Sequence, residues 1–511
     1  MAADSAYNSQ SKILSLFKPT ILLDEISIAD TESADQQDTV SEDHAKPSKV
    51  YGNIAPYIRI NGFTFNHNSI KYMTLSETGF MPTIEVTLRD TKGIFKSAYF
   101  PKQQPILSLY IRSKHDKLKC IRCDFLVTKV RSNSSIDEND RMNGTNMEFD
   151  FSGVLLVPEI YSNIPKAYSK MTSMEVLQRL SADMQLGFAS NETYTNDNMT
   201  WLKPLIAKNK FIQHVLVHSF KDDSSFYTGF IDKYYHLNFV NVARMFDENG
   251  DMDKLYQKLI TYDDLYTRQS ETDSDDTYTD LILTNLSKVA KSDLYLKEFR
   301  PESSTGNRLI NSGYVRSVSY YDQMLSDNPE DNLVSLDVSP ISQSLKPGDE
   351  DPAQKNLKKL ASNLSYGEWV GVDYNNGHDN FQFSLLQNAH NNREIRKVTL
   401  YAKLDGVNLN IIRGMRVPVI IVRQGVGEAI DSDSMLMGKD QPVEGVDKSG
   451  EVTIVRDKWL SGYYVVGALR YNYSYETGFD TEMTLLRMNW DEAEAKIRTD
   501  GEKSDTALPI K

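Results

Sequence analysis

Residues 226–240 read Phe-Tyr-Thr-Gly-Phe-Ile-Asp-Lys-Tyr-Tyr-His-Leu-Asn-Phe-Val, and this stretch decides the fold. Phe226, Thr228 and Phe230 alternate with Tyr227, Gly229 and Ile231. After Asp232-Lys233, a second run of Tyr235, Leu237 and Phe239 alternates in the same way, the period of two strands joined by a turn. Upstream, Phe211, Ile212, Val215, Leu216 and Phe220 recur at helical spacing. Asn209 is the expected cap, and Lys221-Asp222-Asp223-Ser224-Ser225 the stop. A helix followed by a strand pair with bulky residues on both faces makes 201–246 one folding unit, and nothing in it resembles a reaction centre.

Before this unit, Thr172 to Gly187 gives the clearest helix signal. Thr172 and Glu175 form a capping-box pattern, Met171 and Val176 stand at staple positions, and Gly187 is expected at the C′ site. Val176, Leu177, Leu180 and Met184 form the buried face. From Tyr51 to Ile164 the period is two. Ile58 and Ile60 lead through Asn61-Gly62 to Phe63 and Phe65, the signature of a hairpin. Further strand patterns follow at Ile84 to Leu88, Ile106 to Arg112, Leu118 to Lys129 and Thr145 to Val157. Strands in series without helices imply a small antiparallel barrel or sandwich.

After an acidic stretch at 247–280, strand patterns return at Leu281 to Asn285, Leu294 to Phe299 and Gly313 to Asp322. They resume at Trp369 to Val372, Lys397 to Leu404, Val417 to Val422, Tyr463 to Tyr475 and Thr481 to Met488, with turns expected at Gly406, Gly414 and Gly462. Ser326 to Tyr366 is rich in Asp, Asn, Pro and Ser, with a helix candidate at Pro352 to Leu360, and reads as an insertion. The expected domains are a 1–50 acidic extension, a first β domain at 51–164, and an α/β domain with acidic linker at 165–280. A second β domain at 281–322 and 366–490 is split by an insertion at 323–365, and 491–511 is a tail. In the extension, the patch Ile13 to Leu23 precedes the acidic run Asp30 to Asp43; a flexible tail is the expected default for the patch, with docking on a neighbouring chain as the alternative.

The 511 residues are 40% hydrophobic and 25% charged, which suits a globular chain of about three or four domains. A formal charge of −14 argues against gripping nucleic acid, since phosphate neutralisation needs clustered Lys and Arg. No apolar run reaches the roughly 18 to 20 residues of a membrane span, and no secretion signal is read at the start. Two cysteines exclude a disulfide scaffold and suit a reducing cytoplasm.

Catalytic, cofactor and metal residues are all expected to be none. Cys120 and Cys123 form one C-x-x-C without a second ligand pair and read as strand cysteines. His214 and His218 lack the intervening glutamate of a zinc protease and read as helix packing. Asp247, Asn249, Asp251 and Asp253 resemble the start of a calcium loop, but Met252 replaces its glycine and Lys258 its bidentate glutamate. Gly425-Val426-Gly427 lacks the rest of a dinucleotide fingerprint, and no acidic pair for glycoside cleavage is picked out.

Three stretches carry a family resemblance. They are Thr172 to Leu177 with Thr200-Trp201 and Lys210-Phe211-Ile212; Phe226 to Asp232 with Leu237 to Val240; and Lys458 to Val466 running into Leu485-Leu486-Arg487 and Trp490, with Gly313-Tyr314-Val315 as an earlier partner. In this order they resemble the baseplate hub proteins of contractile-tailed bacteriophages, which are related to the hub part of type VI secretion spike proteins. The resemblance covers about 51–322 and 390–490. It implies an α+β, mainly β fold of two tandem antiparallel tube-type β-barrels with an inserted α/β domain.

The resemblance also implies a structural, non-enzymatic homotrimer in the virion's tail baseplate, assembled in the host cytoplasm. Two barrels in each of three chains give a ring of six, adapting a threefold cell-puncturing spike to a sixfold tail tube. Expected partners are further copies of the chain, the spike protein, the tail tube protein and other baseplate proteins. DNA passes the lumen without specific binding, and no membrane insertion or cofactor is expected. The extension and the insertion have no counterpart in the family pattern and are expected outside the ring. The alternatives are a tail-associated cell-wall hydrolase or a tube-initiator or adaptor ring.

Overall fold

The computed structural model describes residues 7, 11–21, 54–60, 63–65, 67–90, 106–113, 121–134, 147–246, 252–261, 281–286, 294–304, 315–322, 333–338, 365–373, 377–425, 453–457 and 459–487. The chain opens with β1 (Leu14–Phe17). A run of strands follows: β2 (Ile54–Ile60), β3 (Phe63–Phe65), β4 (Ile70–Glu77), β5 (Thr83–Asp90), β6 (Ile106–Ser113), β7 (Ile121–Ser134) and β8 (Met147–Leu155). Next come β9 (Lys166–Met171), α1 (Ser173–Asp183), β10 (Gly187–Ser190), β11 (Met199–Lys203), α2 (Lys208–Val217), β12 (Tyr227–Ile231), β13 (His236–Asn241) and α3 (Met252–Thr261). The remainder holds β14 (Leu283–Thr284), β15 (Leu296–Ser303), β16 (Val315–Asp322), β17 (Leu333–Val338), β18 (Ser365–Asp373), α4 (Phe381–Glu394), β19 (Val398–Asp405), β20 (Arg416–Ile420), β21 (Val422–Gly425), β22 (Thr453–Arg456), β23 (Gly462–Ser474) and β24 (Gly478–Arg487). The fold is α+β and mainly β.

Strands from both ends of the chain build one 13-stranded sheet in the order β15-β19-β24-β23-β4-β5-β8-β7-β6-β2-β3, with β20 on β23 and β14 on β20. Its two parts meet where β23 pairs antiparallel with β4, from Leu469 opposite Glu77 to Ser474 opposite Tyr72. The first half of β23 instead pairs with β20, and its register with β24 shifts between Val466 and Ala468. An irregularity there lets one long strand serve two neighbours. Alternation sets the faces: Ile84, Val86 and Leu88 of β5 are buried while Glu85 and Arg89 are not. Ile60 pairs with Phe63, so β2 and β3 are the expected hairpin, although Asn61-Gly62 lies outside the described residues.

The α/β region carries a four-stranded sheet, β1-β10-β13-β12, and a two-stranded one, β11-β9. The decisive stretch forms the antiparallel pair β12–β13, with Gly229 opposite Phe239 and Phe230 opposite Asn238. All six residues of β13 are buried, as expected for a strand covered on both faces. Helix α1 starts in the expected capping box: Glu175 N donates to Thr172 Oγ1 at 3.3 Å, and Thr172 N donates to Glu175 Oε2 at 2.9 Å. Val176, Leu177, Leu180 and Met184 are fully buried.

Several expectations are corrected. Helix α1 stops at Asp183, and Gln185, not Gly187, takes the positive φ of 59°. Gly187 opens β10, where a Cβ would meet His236 Cδ2 at 2.6 Å, so close approach is what excludes a side chain. Helix α2 is capped at Ala207, and the Asn209 side chain instead accepts from Lys210 N. The patch at Ile13 is not a free tail, because β1 pairs antiparallel with β10, Ile13 is buried, and Phe17 stacks on Phe188 at 5.8 Å. Burial of Ile13 and the Phe17–Phe188 stack, together with the backbone ladder to β10, hold the segment on the sheet.

Strands β16 and β18, expected in the second β domain, lie outside the large sheet. They pair parallel with each other, and β17, from the expected insertion, pairs antiparallel with β16. Residues 381–394, also expected in that domain, form helix α4 beside α2 and β12. Gly406 and Gly414 have positive φ as turn residues, whereas Gly462 begins β23. The Pro352 to Leu360 helix candidate lies outside the described residues.

Candidate functional site

The turn between β12 and β13, Asp232-Lys233-Tyr234-Tyr235, projects from the α/β region into the seam where β4 meets β23. Asp232 organises the turn by local bonds, as Asp side chains do at turns. Its Oδ1 accepts from Tyr234 N at 2.9 Å and His236 N at 3.1 Å, and its Oδ2 from Asn238 Nδ2 at 2.9 Å. Tyr7 Oη also donates to Asp232 Oδ2, and the Tyr7 ring lies 4.4 Å from that of His236. Tyr235 holds φ at 59°, rare for a bulky residue, and its hydroxyl accepts from Asp124 N on β7 at 2.8 Å.

Lys233 carries the turn into the seam. Its Nζ lies 3.2 Å from Glu77 Oε1 at the end of β4 and donates to Tyr471 Oη on β23 at 3.0 Å and to Ile411 O at 2.9 Å. The amine is 0% exposed and the carboxylate 2%, so neither can meet a substrate from solvent. Burial raises the Glu77 carboxyl above its usual range, against the pull of Lys233. Burial disfavours the charged Lys233, but Glu77, Tyr471 and Tyr234 outweigh it and hold the ammonium well above its ordinary value. Burial also pushes the Tyr471 hydroxyl up to about 12. Arg413 Nη1 donates to Gly79 O at 2.5 Å, and the guanidinium lies over the Phe230 ring at 4.7 Å. The site fastens three parts of the chain together, since breaking it strands buried charge.

A second joint is made by α4. His218 Nδ1 and Phe381 O are 2.9 Å apart, and the two rings stack with centroids at 3.7 Å. His378 Nε2 lies 3.0 Å from His218 O. Asn388 Oδ1 accepts from Tyr227 N at 2.7 Å while its amide nitrogen donates to Val217 O and Ser219 O. Burial, reinforced by His214, lowers the His218 imidazole to about 3.

Of the residues weighed for chemistry, Cys123 is a buried free thiol whose Sγ donates to Lys233 O at 3.4 Å, and burial pushes it up. Cys120 lies outside the described residues. His214 and His218 pack with rings 4.8 Å apart, and among the described residues no three His, Cys, Asp or Glu are grouped to hold a metal. Asp247, Asn249 and Asp251 lie outside the described residues, while Met252 begins α3. Glu77 was not singled out from sequence, although a signal existed. It follows Met73 and Leu75 on the inward face of β4, where a carboxylate needs a buried partner.

No family model matches the sequence, and no curated protein matches it. Among solved structures, the chain is similar to a tail protein from Neisseria meningitidis at 11% identity, covering 86% of this chain and 97% of that one, with a TM-score of 0.43. It is similar to a 43 kDa tail protein of a Shewanella oneidensis prophage at 9% identity, covering 85% and 98%, with a TM-score of 0.45. A Francisella PdpA–VgrG complex matches at 12% identity, covering 95% and 66%, with a TM-score of 0.41. These similar structures are of tail proteins and of a VgrG complex.

Proposed function

We propose that this chain is a structural hub of a contractile tail, a trimeric ring that adapts a threefold spike to a sixfold tube and lines the channel for genome passage. The observation that supports this reading is the β4–β23 pairing. It joins strands from 54–155 and from 283–487 into one sheet, ending at β15 on one side and β3 on the other. On this reading the two parts are the tandem tube-type barrels, so three copies supply six similar units and each contact is heterologous and ring-closing. Among the described residues β15 and β3 end the sheet, and on this reading a neighbouring copy covers those edges. The outward side chains of the sheet are largely polar, with opposed pairs such as Lys71–Glu148 at 2.9 Å and Lys403–Asp480 at 3.1 Å, which suits a water-filled channel.

The further partners in this reading are the spike, the tube and other baseplate proteins, with the protein in the virion tail. Mass measurement of the purified chain across concentrations tests it. A trimer supports the hub, a hexamer favours a tube-initiator or adaptor ring, and a monomer that clears peptidoglycan favours a cell-wall hydrolase.

A further inference from the structure

Among the described residues β12 is the last strand of its four-stranded sheet, so one of its edges has no neighbouring strand. Helix α4 stands in for one. Asn388 and Asn392, four apart and so on one face of the helix, take both backbone groups of Tyr227: Tyr227 N donates to Asn388 Oδ1 at 2.7 Å, and Asn392 Nδ2 donates to Tyr227 O at 2.8 Å. A helix laid over an edge in this way keeps another strand from pairing there. Toward α2 the helix is fastened by hydrogen bonds to backbone oxygens. Asn388 Nδ2 donates to Val217 O and Ser219 O, Ser384 Oγ to His218 O at 3.1 Å, and Gln387 Nε2 to Asp222 O at 3.2 Å.

Two imidazoles close the same joint. His378 Nε2 lies 3.0 Å from His218 O, and a carbonyl only accepts, so Nε2 carries the proton and Nδ1 is the bare nitrogen. That Nδ1 is buried and has no hydrogen-bond partner among the described residues, and the ring lies 6.4, 6.3 and 5.8 Å from those of Trp201, Phe220 and Phe381. His218 Nδ1 donates in the same way to Phe381 O, with its ring stacked on that of Phe381. A second proton on either ring is therefore a charge placed out of water. Burial lowers His378 against the pull of Asp197 and Asp379, and with His214 it holds His218 at about 3. Of the other groups nearby, His214 is at the surface and Lys221 is paired with Glu192 at 2.7 Å. Strand β12 carries no charged residue, and between 381 and 392 His390 is the one titratable group.

We propose that α4 is a proton-released latch: uptake of protons by His218 and His378 frees it from α2 and uncovers the edge of β12. In the open joint both rings meet water and titrate near their ordinary 6.5, so opening binds two protons below that pH, and the closed joint keeps its full advantage above it. The opening constant then rises by up to about a hundredfold per pH unit, tenfold for each ring, until the closed-state values are reached. Strand β13, buried along its whole length, stays in place. The latch does not depend on the hub reading.

The test is hydrogen–deuterium exchange of the full chain, read by mass spectrometry from pH 7.5 to pH 5 and corrected for the intrinsic pH dependence of exchange. A released helix of this length is marginal in water, so the amides of 381–392 and of Tyr227 are expected to lose protection steeply below pH 6.5 while those of 236–241 keep theirs. His218→Gln/His378→Gln is expected to flatten that slope, whereas a change that merely loosens the joint shifts the level at pH 7.5 and leaves the slope. Protection of 381–392 that does not vary with pH in the parent overturns the latch, as does a loss shared equally by 236–241 or a double variant with the parental slope. The first two readings need only the parent, so they decide even where the double variant does not fold.

Discussion

Lys233 Nζ stands 3.2 Å from Glu77 Oε1, both out of water, one at a hairpin tip of the α/β region and the other at the end of β4. Removing one partner leaves the other charge buried, which costs about 3–5 kcal/mol, whereas replacing both with neutral groups costs less. Lys233→Met alone is expected to lower the unfolding midpoint more than Lys233→Met with Glu77→Gln. Equal losses in chemical denaturation would show that the two charges are not coupled.

Gly229 sits under helix α2, and a Cβ there would meet Leu216 Cδ1 at 2.5 Å and Cδ2 at 2.7 Å. Because those atoms end a flexible side chain, Gly229→Ala is expected to cost about 1–3 kcal/mol, the range for overpacking. Gly229→Val is expected to cost more and to impair assembly. Leu216→Ala in the Gly229→Ala background is expected to recover part of the loss. A double variant no more stable than the sum of the singles would refute the contact.

His218 is held at about 3 by burial and by His214, below its ordinary 6.5, so the folded chain keeps it neutral where the unfolded chain binds a proton. Its contribution is therefore full above pH 6.5 and is lost as pH falls toward 3, at up to about 1.4 kcal/mol per unit. His218→Gln is expected to flatten the fall in unfolding midpoint between pH 7 and pH 4. Parallel curves for parent and variant would remove His218 from the acid response.

The capping box of α1 is a local device with a local cost. Thr172→Ala is expected to destabilise by about 1 kcal/mol and Thr172→Ser to be nearly neutral, read from denaturation midpoints. An alanine variant as stable as the parent would mean that other contacts hold the first turn.

The sequence by itself determined the local elements: the period of two in β5, the apolar spacing of α1 and α2, the Thr172–Glu175 cap, and the hairpin signal of 226–240. Each is settled by neighbours within a few positions, where the two periods and the turn chemistry are directly legible. Tertiary structure alone decided which edges pair. Alternation in β16 and β18 reads the same as in β19, yet β16 and β18 pair with each other while β19 joins the large sheet. Helix α4 mixes Asn388, Asn391 and Asn392 among apolar residues, so its helical face was hidden until Val217, Ser219 and Tyr227 supplied partners. The Lys233–Glu77 joint was hidden for the same reason. A buried charge is tolerable only beside its counterion, and that meeting exists only once hairpin, β4 and β23 are folded together.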